Sequence, residues 1–401
     1  MSSNRTAAAS TYAAASTRWS YVVLLLASGI GAATQVGKVP ASLRTLQNEL
    51  HLTIWAAAWV ISMFNVVGSF LGFLAGSVTD HIGARRAAVF GLTFMAIASL
   101  LGGSAANAAA LLATRALEGL GFVLVVVAIP GLLFASSAAQ DRRFVPALWG
   151  TYMPLGTAIA LMLAPTVLQL WGWRVLWRAS ALLLAALAAA LLIVPAPRLA
   201  RGRQAVPTPA LRRAALLHRG PLLLGLIFAC YTVQYLSVLG FLPAILVQQG
   251  TAAQRAGNLT ALAVIANALG NLAASALAAR GVPARPVIAC ACAATALTCC
   301  GIYSPALEPS LRYVLVVVFS AFAGLVPASI FASVPHVTPE RGSAAITMGF
   351  VVQASHLGQL LGPPTVAAVA TVAGGWQLSA LVLVPAALTA FVAALSLRGP
   401  H

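Results

Sequence analysis

The sequence predicts an all-α integral membrane protein with twelve transmembrane helices, arranged as two six-helix bundles related by a parallel pseudo-twofold repeat. Three observations predict it: a composition with little for water to face, apolar runs of spanning length, and a second half that repeats the first. Of the 401 residues, 61% are hydrophobic and 7% charged, with a mean hydropathy of +0.94. A soluble domain carries about 25% charged residues, so a soluble enzyme, a disordered scaffold and a nucleic-acid-binding module are all excluded. The pI near 11.3 does not restore the last of these. A nucleic-acid face gathers its basic residues on one surface, whereas these Arg residues sit in short gaps between apolar runs.

Each crossing needs about 20 predominantly apolar residues. In chain order the runs fall at 20–43, 55–78, 87–106, 111–136, 145–170 and 175–194, then at 222–246, 257–279, 286–303, 313–335, 344–370 and 376–397. Charged residues bound many of them: Arg44 follows the first, Arg85 and Arg86 precede the third, and Arg255 and Arg280 flank the eighth. Domains follow from the spans: a tail at 1–18, a bundle at 19–194, a basic linker at 195–221, a second bundle at 222–397 and a short tail at 398–401. None of the gaps is long enough for a catalytic domain.

The linker carries Arg198, Arg201, Arg203, Arg212, Arg213 and Arg219 with no acid, which the positive-inside rule assigns to the cytoplasm. Alternation then puts Arg5, Arg18, Arg85, Arg86, Arg142, Arg143, Arg280, Arg285, Arg341 and Arg398 on the same side, against Arg44, Arg174, Arg178, Arg255 and Arg312 outside. Both termini are therefore expected in the cytoplasm, in an inner or plasma membrane. The first 18 residues are rich in Ser, Thr and Ala; they are expected to be an uncleaved tail rather than a transit peptide, since the first run can serve as its own insertion signal. Cys230, Cys290, Cys292, Cys299 and Cys300 lie in predicted spans with no C-x-x-C pair, so neither a metal nor a disulfide is expected.

The repeat is legible in five matched stretches at an offset of about 200 residues. Gly37 to Leu43 answers to Gly240 to Leu246, and Asn65 to Gly68 answers to Asn267 to Gly270. His81 and Arg86 answer to Arg280 and Arg285, Pro130 to Ser136 to Pro327 to Ser333, and Gly172-Trp173 to Gly375-Trp376. Six spans per half is an even number, so both halves enter the membrane with the same orientation. Two bundles of this kind enclose a midplane cavity and can rock to expose it to each side in turn.

Between the second and third spans, Gly76-Ser77-Val78-Thr79-Asp80-His81-Ile82-Gly83-Ala84-Arg85-Arg86 resembles the G-x-L-x-D-R-x-G-R-R signature of the major facilitator superfamily. The fourth span adds Arg115-Ala116-Leu117-Glu118-Gly119-Leu120-Gly121, which is similar to that family's R-x-x-Q/E-G-x-G segment. The resemblance covers nearly the whole chain and implies a secondary transporter working by alternating access. It implies that Gly76, Asp80, Gly83, Arg85 and Arg86 form a gating element on the cytoplasmic side, with charged contacts that break when the bundles rock; a solvated turn whose Arg residues only set topology is the alternative. His81 stands where the family has Arg, and Ala279 replaces the acid in the second copy. Within the family, Trp149 to Pro154 and Gly172-Trp173-Arg174 resemble the cyanate-porter-like subgroup.

A charge at the bilayer centre costs about 2.5–3.5 kcal/mol on the insertion scale, so an ionisable residue within a span is a candidate for function. Lys38, the only Lys in the chain, shares a helical stripe with Ser28, Gly31, Gln35 and Ser42. Two readings fit it: an ammonium facing the central cavity, where it and Gln35 would bind an anion, or a side chain snorkelling to the outer interface. Arg115 and Glu118 lie three apart on one helix and can touch. They are either a self-neutralising packing pair or a carboxylate whose protonation is coupled to transport. Tyr152, Tyr231, Gln234 and His356 complete the candidate substrate-binding set, each of them able instead to bond a neighbouring helix. Gly68, Gly72 and Gly76, with Gly358 and Gly362, read as small-residue faces that bring the second and eleventh spans together.

No G-x-x-x-x-G-K-[S/T] loop is present, which excludes ATP-driven pumping by this chain alone, and H-E-x-x-H and G-x-S-x-G are also absent. No enzymatic activity and no cofactor are expected; the expected partners are a small-molecule substrate, the lipid bilayer and protons, with the chain a monomer. Lys38 and Arg115 favour a small organic or inorganic anion as substrate. The R-x-x-E-G segment, which also occurs in the family's drug exporters, keeps proton-driven export of drugs or metabolites open, and a membrane-embedded enzyme or receptor is the remote alternative.

Overall fold

The computed structural model describes residues 16–141, 144–195, 218–338 and 344–397. Arg5, Arg142, Arg143, Arg341, Arg398 and the linker Arg residues from Arg198 to Arg213 lie outside them, as do the side chains of Leu71 to Ser77 and of Asp80. The described residues form helices and no strands: α1 (Trp19–Leu50), α2 (Ile54–Ser62), α3 (Val66–Ile82), α4 (Ala84–Gly102), α5 (Ala108–Ala135), α6 (Phe144–Trp149) and α7 (Tyr152–Ile193) in the first half. The second half holds α8 (Arg219–Gln248), α9 (Ala253–Ala279), α10 (Ala284–Ile302), α11 (Pro309–Val337), α12 (Ala344–Val372) and α13 (Ala380–Leu395).

Twelve crossings result once two features are accounted for. A single 3-10 turn, Met63–Asn65, joins α2 to α3, which together make one crossing. The 42-residue α7 is about 63 Å of helix, twice the roughly 30 Å hydrocarbon core. It holds two crossings, separated at Gly172, whose backbone (φ 77°, ψ 172°) leaves the helical region; positive φ is ordinary for Gly and strained for other residues. The expected gap between the fifth and sixth spans is therefore a one-residue break. Each half needs its lipid-facing residues outside: Leu182, Ile193 and Leu297 are all more than two-thirds exposed, as a bilayer solvent requires.

Helix starts follow local chemistry. Thr53 accepts from Ala56 N at 3.1 Å to cap α2, and Asn107 accepts from Ala110 N at 2.9 Å to cap α5. Proline recurs inside paired helices, Pro40 in α1 with Pro243 in α8 and Pro130 in α5 with Pro327 in α11.

The two halves repeat in contact as well as in sequence. Trp173 Nε1 donates to Glu49 Oε2 at 2.9 Å, and Trp376 Nε1 donates to Gln248 Oε1 at 3.1 Å, so in each half an indole ties the start of the sixth crossing to the end of the first. A side chain at Gly119 would collide with the carbonyl of Phe64, and one at Gly270 with the carbonyl of Ala321; second and fourth crossings touch backbone to backbone in both halves.

Between halves, the second and eleventh crossings meet as the glycine spacing predicts, but only partly through the glycines named. A Cβ at Gly68 would lie 2.6 Å from His356 Cγ, and Gln353 Nε2 donates to Ser69 O at 2.7 Å. Gly358 and Gly362 instead face Ala229 and Val233 of α8, inside the second half. Gly72 and Gly76 fall among the side chains not described. A further junction joins α7 to α9, where Gln254 Nε2 donates to Met162 O at 2.8 Å and Thr166 Oγ1 donates to Gln254 Oε1 at 2.8 Å.

Candidate functional site

Helix α1 brings Gln35 and Lys38 one turn apart, and α5 brings Arg115 and Glu118 one turn apart; packing the two helices together joins all four. Lys38 Nζ donates to Glu118 Oε1 at 2.8 Å, to Ser99 Oγ of α4 at 2.9 Å and to Gln35 Oε1, and lies 4.5 Å from the ring centroid of Trp177. Arg115 donates to Glu118 Oε2, to Gln35 O at 3.1 Å and to Val60 O at 3.3 Å, with its guanidinium 4.6 Å over the Phe64 ring. Lys38, Arg115 and Glu118 are each no more than 1% exposed.

This arrangement decides between the readings of Lys38 and alters one of them. The ammonium does not snorkel, because its three protons are taken by Gln35, Ser99 and Glu118. Nor does it stand free in a central cavity: Ser99 and Trp177 belong to the third and sixth crossings, so the group points into the interior of the first bundle. Arg115 and Glu118 do touch, but they are not a self-neutralising pair. Two cations share one carboxylate, and the cluster carries one formal positive charge in excess. An approaching anion meets a positive field there and can compete with Glu118 for its cations.

The remaining candidates are spread out. Tyr152 stacks on Trp149 with centroids 4.0 Å apart and connects to the cluster through Phe122 and Phe64, at 6.5 and 4.9 Å. Tyr231 accepts from Asn267 Nδ2 at 3.5 Å and stacks between Phe228 and Tyr235 in the second half. Gln234 donates to Cys230 O at 3.0 Å, while its buried Oε1 has no partner among the described residues. His356 neither joins the first cluster nor the second; its Nδ1 lies 3.1 Å from Asn65 Oδ1, and it links the two halves.

In the stretch expected to act as a gate, Gly83 adopts φ 91° and turns the chain between α3 and α4. Arg85 does not cross to the other half: it donates to Leu191 O, Leu192 O and Val194 O at 2.8–2.9 Å, holding the last carbonyls of α7. Arg86 is exposed. The backbones of Gly76 and Asp80 are helical, and the Asp80 carboxylate lies outside the described side chains. Ser99, Trp177 and the Val60 carbonyl were not foreseen; one Ser in an apolar run, a Trp among many apolar residues and a main-chain oxygen carry no periodic signal.

Solved structures share this architecture. The chain superposes on a bacterial homolog of the human lysosomal transporter Spinster, in an inward-facing, occupied conformation, with a TM-score of 0.78 over 95% of this chain and 97% of that one at 14% identity. It superposes on the D-xylose-proton symporter with a TM-score of 0.77, over 95% and 97% at 14% identity. Among curated relatives, the lincomycin resistance protein of Streptomyces lincolnensis is 29% identical over 170 residues, 42% of this chain and 35% of its own length. The cyanate transport protein CynX of Escherichia coli (strain K12) is 26% identical over 209 residues, 51% and 53% respectively, in keeping with the subgroup resemblance. The chain thus spans about a third to a half of the length of these relatives. The profile of the Major Facilitator Superfamily matches residues 23–255 and again 224–401, and the chain belongs to that superfamily of multi-pass membrane proteins.

Proposed function

We propose that this protein is a secondary active transporter that moves a small organic or inorganic anion across an inner or plasma membrane by alternating access. The observation that carries the reading is the Lys38–Glu118–Arg115 cluster: the one carboxylate buried at mid-span among the described residues is already shared by two cations. A cationic solute finds no spare carboxylate there, and an anion finds an excess positive charge. An anion that draws either cation away leaves Glu118 short of a partner and able to take up a proton, which is how proton coupling would arise in symport. Gln35, Tyr152, Tyr231, Gln234 and His356 would line the path, and Gly76, Asp80, Gly83, Arg85 and Arg86 would set the gate. In this reading bundles 19–194 and 222–397 rock as a monomer about the linker 195–221, with both termini cytoplasmic. No covalent chemistry is assigned to the chain.

A second reading, proton-driven export of drugs or metabolites, is favoured by the lincomycin resistance protein among the relatives. Thermal unfolding of the purified protein with nitrate and with tetraphenylphosphonium separates the two. A ligand at 100 times its dissociation constant stabilises the native state by about 2.7 kcal/mol. Stabilisation by an anion that is lost in Lys38→Met supports anion transport. Stabilisation by the cation alone, or an anion response unchanged in Lys38→Met, moves the exporter reading ahead.

A further inference from the structure

A cavity of about 320 Å³ is lined wholly by residues of the second half, where α8 ends and α11 begins. Its floor is apolar, with Leu242 of α8 buried there, and Trp376 forms one wall. Gln249 and Gln377 lie exposed at its rim. The first turn of α11 places Arg312 in the lining of this mixed polar and apolar cavity.

Arg312 is unusual in what it lacks. Its Nε is buried and has no hydrogen-bond acceptor among the described residues. The nearest acid in sequence, Glu308, is exposed and makes no ion pair with it; the described ion pairs are those of Lys38, Arg115 and Arg174. Tyr303, only 6% exposed, also lines the cavity, and its hydroxyl makes no hydrogen bond among the described residues. A buried unpaired donor costs about 1–3 kcal/mol, so the Nε–H of the partly exposed Arg312 calls for an acceptor that the described residues do not supply. The Arg–oxyanion pair is the strongest that a guanidinium makes. Basic pockets between transmembrane helices bind anionic headgroups on the same principle.

We propose that this cavity is a second binding site, separate from the Lys38–Glu118–Arg115 cluster, for a ligand that carries an oxyanion head on an apolar body. Arg312 takes the head with Tyr303 as a second donor, and the Leu242 floor and the Trp376 indole take the body. The site stands whether or not the cluster binds substrate. The ligand can come from two sources, a phospholipid headgroup with its first methylenes or a free aromatic acid.

The test uses the full-length protein in phosphatidylcholine nanodiscs, followed by thermal unfolding. One arm titrates benzoate, with neutral benzamide as control; the other replaces part of the lipid with phosphatidylglycerol. Each is run on wild type, Arg312→Met, Leu242→Trp and Lys38→Met. The expected result is an upward shift in Tm with one source, an affinity at least about tenfold weaker in Arg312→Met, the worth of one charge-assisted hydrogen bond, and loss of the shift in Leu242→Trp, which fills the floor and leaves the Arg in place. The shift persists in Lys38→Met, so failure of the anion-transport reading does not mimic failure here. Arg312→Met removes a partly exposed side chain whose buried Nε has no acceptor among the described residues, and is expected to fold. No shift in wild type from either source, or an equal shift in Arg312→Met, overturns the proposal.

Discussion

Replacing Glu118 by Gln and Lys38 by Met removes one charge each from the same cluster, yet the structure predicts opposite consequences for its balance. Wild type holds two cations against one carboxylate, with Lys38 Nζ 2.8 Å from Glu118 Oε1 and Arg115 on Oε2. Glu118→Gln raises the excess to two charges and sets an amide N–H₂ against a cation. Breaking a buried pair in this way costs about 3–5 kcal/mol. Lys38→Met lowers the excess to zero and leaves Arg115 paired with Glu118. It forfeits the ammonium's hydrogen bonds, but Ser99 keeps Trp177 O at 2.9 Å as an acceptor, and a buried uncompensated charge disappears. Glu118→Gln should therefore be the more destabilised by about 2 kcal/mol or more, roughly thirtyfold in the unfolding equilibrium constant. Equilibrium unfolding in mixed micelles of dodecyl maltoside and sodium dodecyl sulfate reads the difference directly. Equal losses, or a larger loss in Lys38→Met, would refute the reasoning that charge imbalance governs the site.

Other consequences can be checked separately. Gly68→Leu puts a side chain where His356 lies and should abolish transport in proteoliposomes while leaving each half folded; His356→Ala should restore part of the flux, and no restoration would mean that the contact is not what blocks it. Trp173→Phe and Trp376→Phe each remove one indole hydrogen bond at equivalent places and should each cost about 1 kcal/mol in the same unfolding assay, with strongly unequal values counting against the repeat as an energetic one. Arg85→Met should lose about 1–2 kcal/mol by stripping three carbonyls at the end of α7 of their donor, with Arg85→Lys recovering part of it; full stability in Arg85→Met would show that water replaces the guanidinium at no cost.

Composition and periodicity alone determined that this chain lives in a bilayer, crosses it twelve times and does so as two copies of one plan. Those properties are set by one-dimensional quantities, the length of an apolar run and the offset at which residues recur, because lipid obliges each segment to satisfy its own backbone. Helical spacing likewise placed Gln35 with Lys38 and Arg115 with Glu118, since residues three apart on a helix share a face. What spacing cannot carry is the rotation of one helix against another. Only tertiary packing decided that Lys38 points into the first bundle toward Ser99 and Trp177, that both cations converge on one carboxylate, and that His356 reaches Asn65 across the halves. The same holds for Gly358 and Gly362, whose partners lie on α8, and for the buried Nε of Arg312, whose missing acceptor is visible only once α8, α11 and the start of the last crossing come together around the cavity. A helix face is written in the chain, but the neighbour that face meets depends on the packing of every other helix.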